Sequence, residues 1–250
     1  MNHYFLAASL PPIVLGQEPE LSFSNLMLLF KENLSKKELQ TIDRLRWLTD
    51  LQNIQRFTRD QPLDPKGSLT RKEIEEALLN RTLLPDYIFD ILDQEQDFSK
   101  IYQEFFKIEA REEKGFLKRY FAFERAMRFC LTAVRCKNLE RDLTQELAHA
   151  DHQDFIVRAL LASKDSEPEF PFRMRDLLDV LKKLPDDPLA QARILADYRF
   201  EKLGELAQDR PFTFEALMIY TLRLMIAEEL YDLSDEEGNQ RLNAQLKETA

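Results

Sequence analysis

The chain has 250 residues, 44% of them hydrophobic and 32% charged, and a net charge of −10. That much apolar mass supports a sizeable core and excludes general disorder. The acidic balance disfavours free-standing binding to nucleic acid or to an anionic membrane surface, since both need a basic face. Only five glycines occur (Gly16, Gly67, Gly115, Gly204 and Gly238), and no two lie within thirty residues of each other. A G-x-G-x-x-G turn and a P-loop are therefore both absent.

In chain order, Tyr4–Leu10 is a short apolar run closed by Pro11-Pro12, in which helix and strand cannot be told apart by pattern. No positive charge precedes it, so a secretory leader is not expected. Ser22 or Ser24 can cap a short helix holding Phe23, Leu26, Leu29 and Phe30. Ser35-Lys36-Lys37-Glu38 is a capping box opening a helix expected to run to about Arg59. The segment Pro62–Ser68 breaks the pattern, and Thr70-Arg71-Lys72-Glu73 is a second capping box. Pro85 and Ser99 start the next two helices. Gly115 marks a bend or an end, and Phe116 to about Arg141 reads as one long helix. Further helices are expected near 153–162, 173–184 and 188–206, with Lys164–Pro171 as a loop. Thr213 introduces an apolar helix reaching Asp232, and Ser234-Asp235-Glu236-Glu237 heads a polar C-terminal one. No apolar run free of charge reaches about 18 residues, so no membrane span is expected.

Two helices carry polar rows inside apolar faces. In the long helix, Glu124, Arg128 and Arg135 share a face with Leu117, Tyr120, Phe121, Met127, Leu131 and Val134. Glu124 and Arg128 have the four-residue order of a helical ion pair. In the helix from Ser35, Arg46, Asp50 and Asn53 line up with Leu39, Ile42 and Phe57, while Trp47, Leu51 and Ile54 form a second apolar face. That row is expected to bridge to a neighbouring helix. Buried charges demand partners, so three readings stand for these residues: satisfied core pairs, polar contacts to another subunit, or catalysis.

Other chemistry finds little support. His149-Ala150-Asp151-His152 lacks the spacing and glutamate of a zinc helix, and its histidines read as solvated loop or helix-end residues. Cys130 and Cys136 are six apart on one predicted helix, about 9 Å of rise, which exceeds disulfide reach. They read as small hydrophobes in a reducing compartment. The acidic run from Glu228 to Glu237 reads as a solvated helix end or as a patch steering a basic partner.

Three segments resemble a known family. These are Tyr4-Phe5-Leu6-Ala7-Ala8-Ser9-Leu10-Pro11, Leu63–Glu73 and Val134-Arg135-Cys136-Lys137-Asn138-Leu139-Glu140-Arg141-Asp142. Together they look like a family of helical proteins, of formally unassigned function, typically encoded among the subunits of bacterial V-type ATPases. That family is similar to the V-type ATPase subunit called C or d, a helical cap that sits on the membrane rotor ring and receives the central stalk. The repeated units of that subunit carry an acid, then Asn-Ile or Asn-Leu, then a basic residue. Asp50-Leu51-Gln52-Asn53-Ile54, followed by Arg56 and Arg59, is similar to one unit. Phe129–Arg135 lines up as a second unit without the asparagine.

The expectation is an all-α, multi-helix assembly of two lobes, 1–114 and 115–250, meeting near Gly115, or one continuous domain. The resemblance implies a non-catalytic C/d-like component coupling the central stalk to the rotor ring of a V-type ATPase or ATP synthase. Its partners would be other subunits of that complex, without nucleic acid, cofactor, metal or direct membrane insertion. It would be cytoplasmic and peripheral to the inner membrane through those partners. A helical adaptor or assembly factor is the alternative, and a metal-dependent helical enzyme a third. Arg46, Asp50, Asn53, Glu124, Arg128 and Arg135 are the candidate structural or interface residues.

Overall fold

Local signals at helix starts set much of the architecture. In this computed structural model, residues 3–94, 97–163, 170, 174–184, 187–206 and 211–233 are described. Among them there are fourteen helices and no strand, so the protein is all-α. By contact the chain divides into two compact units, one of residues 1–45 with 184–250 and one of residues 46–183. The chain therefore leaves and re-enters the first unit. Gly115, expected near the division, lies within the second.

The first unit contains α1 (Tyr4–Ser9), α2 (Phe23–Asn33), α3 (Lys36–Leu45), α13 (Pro188–Leu206) and α14 (Phe214–Asp232). The N-terminal apolar run is thus helical. Ser22 caps α2 by accepting from the Asn25 N–H at 3.3 Å. Ser35 and Glu38 exchange both capping-box bonds at the head of α3. Thr213 caps α14. That helix is apolar nearly all round, burying residues from Leu217 to Leu230, as suits the centre of a unit. It packs on α13, α2 and α3. Two long-range bonds tie it down: the Tyr220 hydroxyl donates to the Pro11 carbonyl at 3.0 Å, and Glu228 accepts from the Phe23 N–H at 2.6 Å. Glu228, expected in a solvated or partner-steering acidic run, is thus engaged with the first turn of α2. The rest of that run, from Ser234, lies outside the described residues, as does most of the 164–171 loop.

The second unit contains α4 (Trp47–Thr58), α5 (Arg71–Asn80), α6 (Asp86–Gln94), α7 (Phe98–Lys107), α8 (Glu109–Glu112), α9 (Gly115–Asn138), α10 (Leu143–Glu146), α11 (Phe155–Ala162) and α12 (Arg175–Leu181). Helix α9 is its axis, contacting α8, α10, α11 and α12. An aromatic cluster fills the space beside it. Phe105 meets Trp47, Phe106 and Phe121 edge-on, with ring centroids 6.1, 5.2 and 5.2 Å apart. Such pairs add stabilisation beyond the area they bury.

Three differences from the sequence reading bear on the architecture. The helix expected from Ser35 to Arg59 is two helices, broken at Arg46. Asp97, not Ser99, caps α7, accepting from the Ser99 N–H at 2.9 Å. Gly115 opens α9 with φ +58°, a left-handed conformation that glycine adopts without strain.

Candidate functional site

The row on α4 is built around a loop and not a neighbouring helix. Leu51 and Ile54 are buried and Trp47 half-buried on one face, while Asp50 and Asn53, also buried, lie on another. The chain between α4 and α5 folds back over them. Asn53 clasps both polar backbone groups of Asp64: its amide donates to the Asp64 carbonyl at 2.9 Å, and its carbonyl accepts from the Asp64 N–H at 2.8 Å. Asp50 accepts from the backbone N–H groups of Ser68 at 2.6 Å and Leu69 at 3.1 Å, and from the Ser68 hydroxyl. Arg46 donates to the carbonyls of Lys66, at 2.7 Å, and of Gly67. Every member of the row thus holds the 64–69 segment.

Gly67 is required by this closeness. A Cβ there would fall 2.3 Å from Asn53 Nδ2 and 2.9 Å from Asp50 Oδ1, inside van der Waals contact. Burial lifts the Asp50 carboxyl above its ordinary value, opposed by the donors from Ser68 and Leu69 and by the Arg46 charge. Beside it lies a cavity of about 290 Å³ walled by Trp47, Leu51, Ile54, Leu69 and Phe105. Burial also raises Tyr87 and Glu109 on its rim, favouring their neutral forms. The Lys66 backbone, the Ser68 hydroxyl and the need for glycine at 67 were not singled out in the sequence. The one signal there was the Asp-Pro-Lys-Gly-Ser run, legible as a turn.

The row on α9 is different. Glu124 is buried and accepts from Arg128 Nη1 at 2.6 Å, so the expected pair forms. The Arg128 side chain is 31% exposed and lies over the rings of Tyr102 and Phe106, at 5.8 and 5.7 Å. This is the arrangement of an edge cation whose stem and π contacts stay in the core. Arg135 is exposed and does not belong to the buried face.

The remaining candidates scatter. His149 pairs with Asp97 at 3.1 Å, and His152 is exposed. His3, unremarked in the sequence, is buried and meets Glu38 at 3.1 Å. Cys130 and Cys136 are buried free thiols, both raised by burial, Cys130 to about 12. Among the described residues no group of three or more His, Cys, Asp or Glu is placed to hold a metal ion, and no helix is long and apolar enough to cross a membrane. In the first unit, Tyr4, Phe5 and Phe212 form an exposed aromatic cluster. The Tyr4 ring lies 5.6 Å from Phe5 and 4.6 Å from Phe212, and Phe5 is 85% exposed.

A family model described as "Protein of unknown function (DUF2764)" matches residues 1–248. The chain belongs to this family. Relatives of the same length class are similar across the whole chain. An uncharacterized protein of Chlamydia pneumoniae is 28% identical over 265 residues, covering 97% of this chain and 96% of its own. Another uncharacterized protein, from Chlamydia trachomatis serovar D, is 25% identical over 257 residues, covering 96% of both. A third, from Chlamydia muridarum, is 24% identical over 256 residues. No solved structure matches.

Proposed function

We propose that this chain is a non-catalytic, C/d-like component of a V-type ATPase or ATP synthase, working by protein contact between the central stalk and the membrane rotor ring. The assignment to that complex rests on the resemblance of the segments at 4–11, 63–73 and 134–142. The observation that carries a contact role is the exposed aromatic cluster of Tyr4, Phe5 and Phe212, because the first of those segments supplies two of its rings. Exposed, clustered aromatic rings are the usual anchors of a protein partner. The Asp50–Asn53 unit supports the reading in a second way. Its polar groups hold a loop against a helix, the kind of tie that a stiff, force-bearing protein would need. In this reading the protein is cytoplasmic and held at the inner membrane only through its partners.

The test is a tagged copy purified from its own cells with detergent-solubilised membranes. The stalk and rotor-ring subunits should accompany it in fixed ratio, and Phe5→Asp should release them while leaving the melting temperature unchanged. Recovery of the chain with assembly intermediates but not with the finished enzyme would replace this reading by an assembly factor. Recovery without any ATPase subunit would overturn both.

A further inference from the structure

The second unit carries a cleft of about 320 Å³ between α7, α8, α9 and the segment leading into α11. Its size is that of a small-molecule site. Its charge runs against that of the protein. Lys107, Arg111, Lys118 and Arg125 line it, opposed by two carboxylates, in a chain of net charge −10. Both carboxylates have other work. Asp154 pairs with Arg125 at 2.7 Å and caps α11 through the Ile156 N–H, and Asp151 accepts from the Gln153 N–H at 2.8 Å.

Of the four cations two are paired, Lys107 with Glu104 at 3.1 Å and Arg125 with Asp154, and two are not. Lys118 and Arg125 are seven apart on α9, so they stand on one face two turns apart. Arg111 reaches the same cleft from α8. Among the described residues neither Arg111 nor Lys118 has an ion pair, and both are exposed. Arg125 spends one Nη on Asp154, while its Nε is buried without a hydrogen-bond partner. The cleft wall also includes the buried rings of Phe106, Phe121 and Phe129.

From this we propose that the cleft binds a small polyanion of the oligophosphate class, held by Arg111, Lys118 and Arg125. Three cations on separate turns suit a chain of phosphates better than a single carboxylate, because each can meet a different phosphate in a charge-assisted bond. Arg111 and Lys118 supply attraction from solvent, and the Arg125 guanidinium, held by Asp154, supplies a cation fixed in place. The inference is independent of the ATPase reading, since it concerns a different unit from the aromatic cluster.

The test is calorimetric titration of the full chain with tripolyphosphate at low ionic strength. Wild type should bind one equivalent, more weakly as salt rises. Arg111→Glu with Lys118→Glu should weaken binding by about tenfold or more, as two charge-assisted contacts become repulsive. Lys72→Glu, an exposed charge change on α5 outside the cleft, should shift affinity by less than about twofold, because distant surface charges are screened. Circular dichroism should show all variants folded, as the substituted side chains are exposed. Absence of tripolyphosphate binding would overturn the proposal. So would equal weakening by Lys72→Glu. Binding of hexaglutamate in place of tripolyphosphate would overturn it in favour of an acidic peptide.

Discussion

The rows on α4 and α9 read alike in the sequence and end differently. Each sets an acid and an arginine four residues apart within an apolar helical face. On α9 the pair closes on itself: Arg128 bonds Glu124 and then turns its plane to two aromatic rings at the edge of the core. On α4 the same spacing serves a third party, because Asp50, Asn53 and Arg46 all engage the returning 64–69 segment. Spacing along a helix therefore announces that polar groups need partners. It does not say whether the partner is the other member of the pair or chain that lies elsewhere.

The comparison breaks most sharply at Asp50. Asp50→Ala should lower unfolding free energy by about 3–5 kcal/mol, since it removes a buried carboxylate beside Arg46 and leaves the half-buried Ser68 and Leu69 N–H groups and the Ser68 hydroxyl without their acceptor. Urea denaturation reads this, and a loss below about 1 kcal/mol would mean the loop is not held by the row.

Titration probes the core around α9 itself. In α9, Cys130 is pushed up to about 12 from an ordinary 9.0, and in α7 Tyr102 to about 12 from an ordinary 10.0, both by burial. The folded state keeps these protons after the unfolded chain has released them. Their contribution is therefore intact below the ordinary values and is lost as pH rises from about 9 toward 12. At pH 8 the native Cys130 thiol should react with a thiol reagent about a thousandfold more slowly than in urea. Rapid labelling of the native protein would show that α9 opens locally.

Gly67→Ala tests the closeness of loop and helix, with an expected loss of about 2–3 kcal/mol as Asn53 and Asp50 are forced from their places. A neutral effect would show that the segment can retreat. Glu124→Ala should cost less, about 1–3 kcal/mol, because its arginine is nearly one-third exposed and water can reach the guanidinium once the carboxylate is gone. Arg135→Ala should change stability by less than about 0.5 kcal/mol, as an exposed position does. If Glu124→Ala equalled Asp50→Ala, the distinction between a self-closed pair and a clamped loop would fall.

What could be read without coordinates follows the range of the interactions. The capping boxes at Ser35 and Thr70, and the cap at Thr213, were legible because each bond spans three residues. The Glu124–Arg128 pair was legible because it spans four. The break at Arg46 was not, since its carbonyl still accepts a helical bond from Asp50 and only its side chain, reaching twenty residues ahead to the Lys66 carbonyl, marks the junction. The cationic cleft was also hidden, because Lys107, Arg111, Lys118 and Arg125 look like solvated helix faces until three helices are set beside one another.

The sequence by itself determined that this protein is helical, where most of its helices start, and that charges would lie within their apolar faces. Each of those properties is carried by residues within a turn or two of one another. The tertiary structure alone decided which backbone Asp50 and Asn53 hold, that position 67 has no room for a side chain, and that the chain's two compact units are divided at 45–46 and 183–184. The physical reason is distance along the chain: a contact made 11 or 18 residues away depends on how the intervening loop closes, and no local pattern encodes that closure.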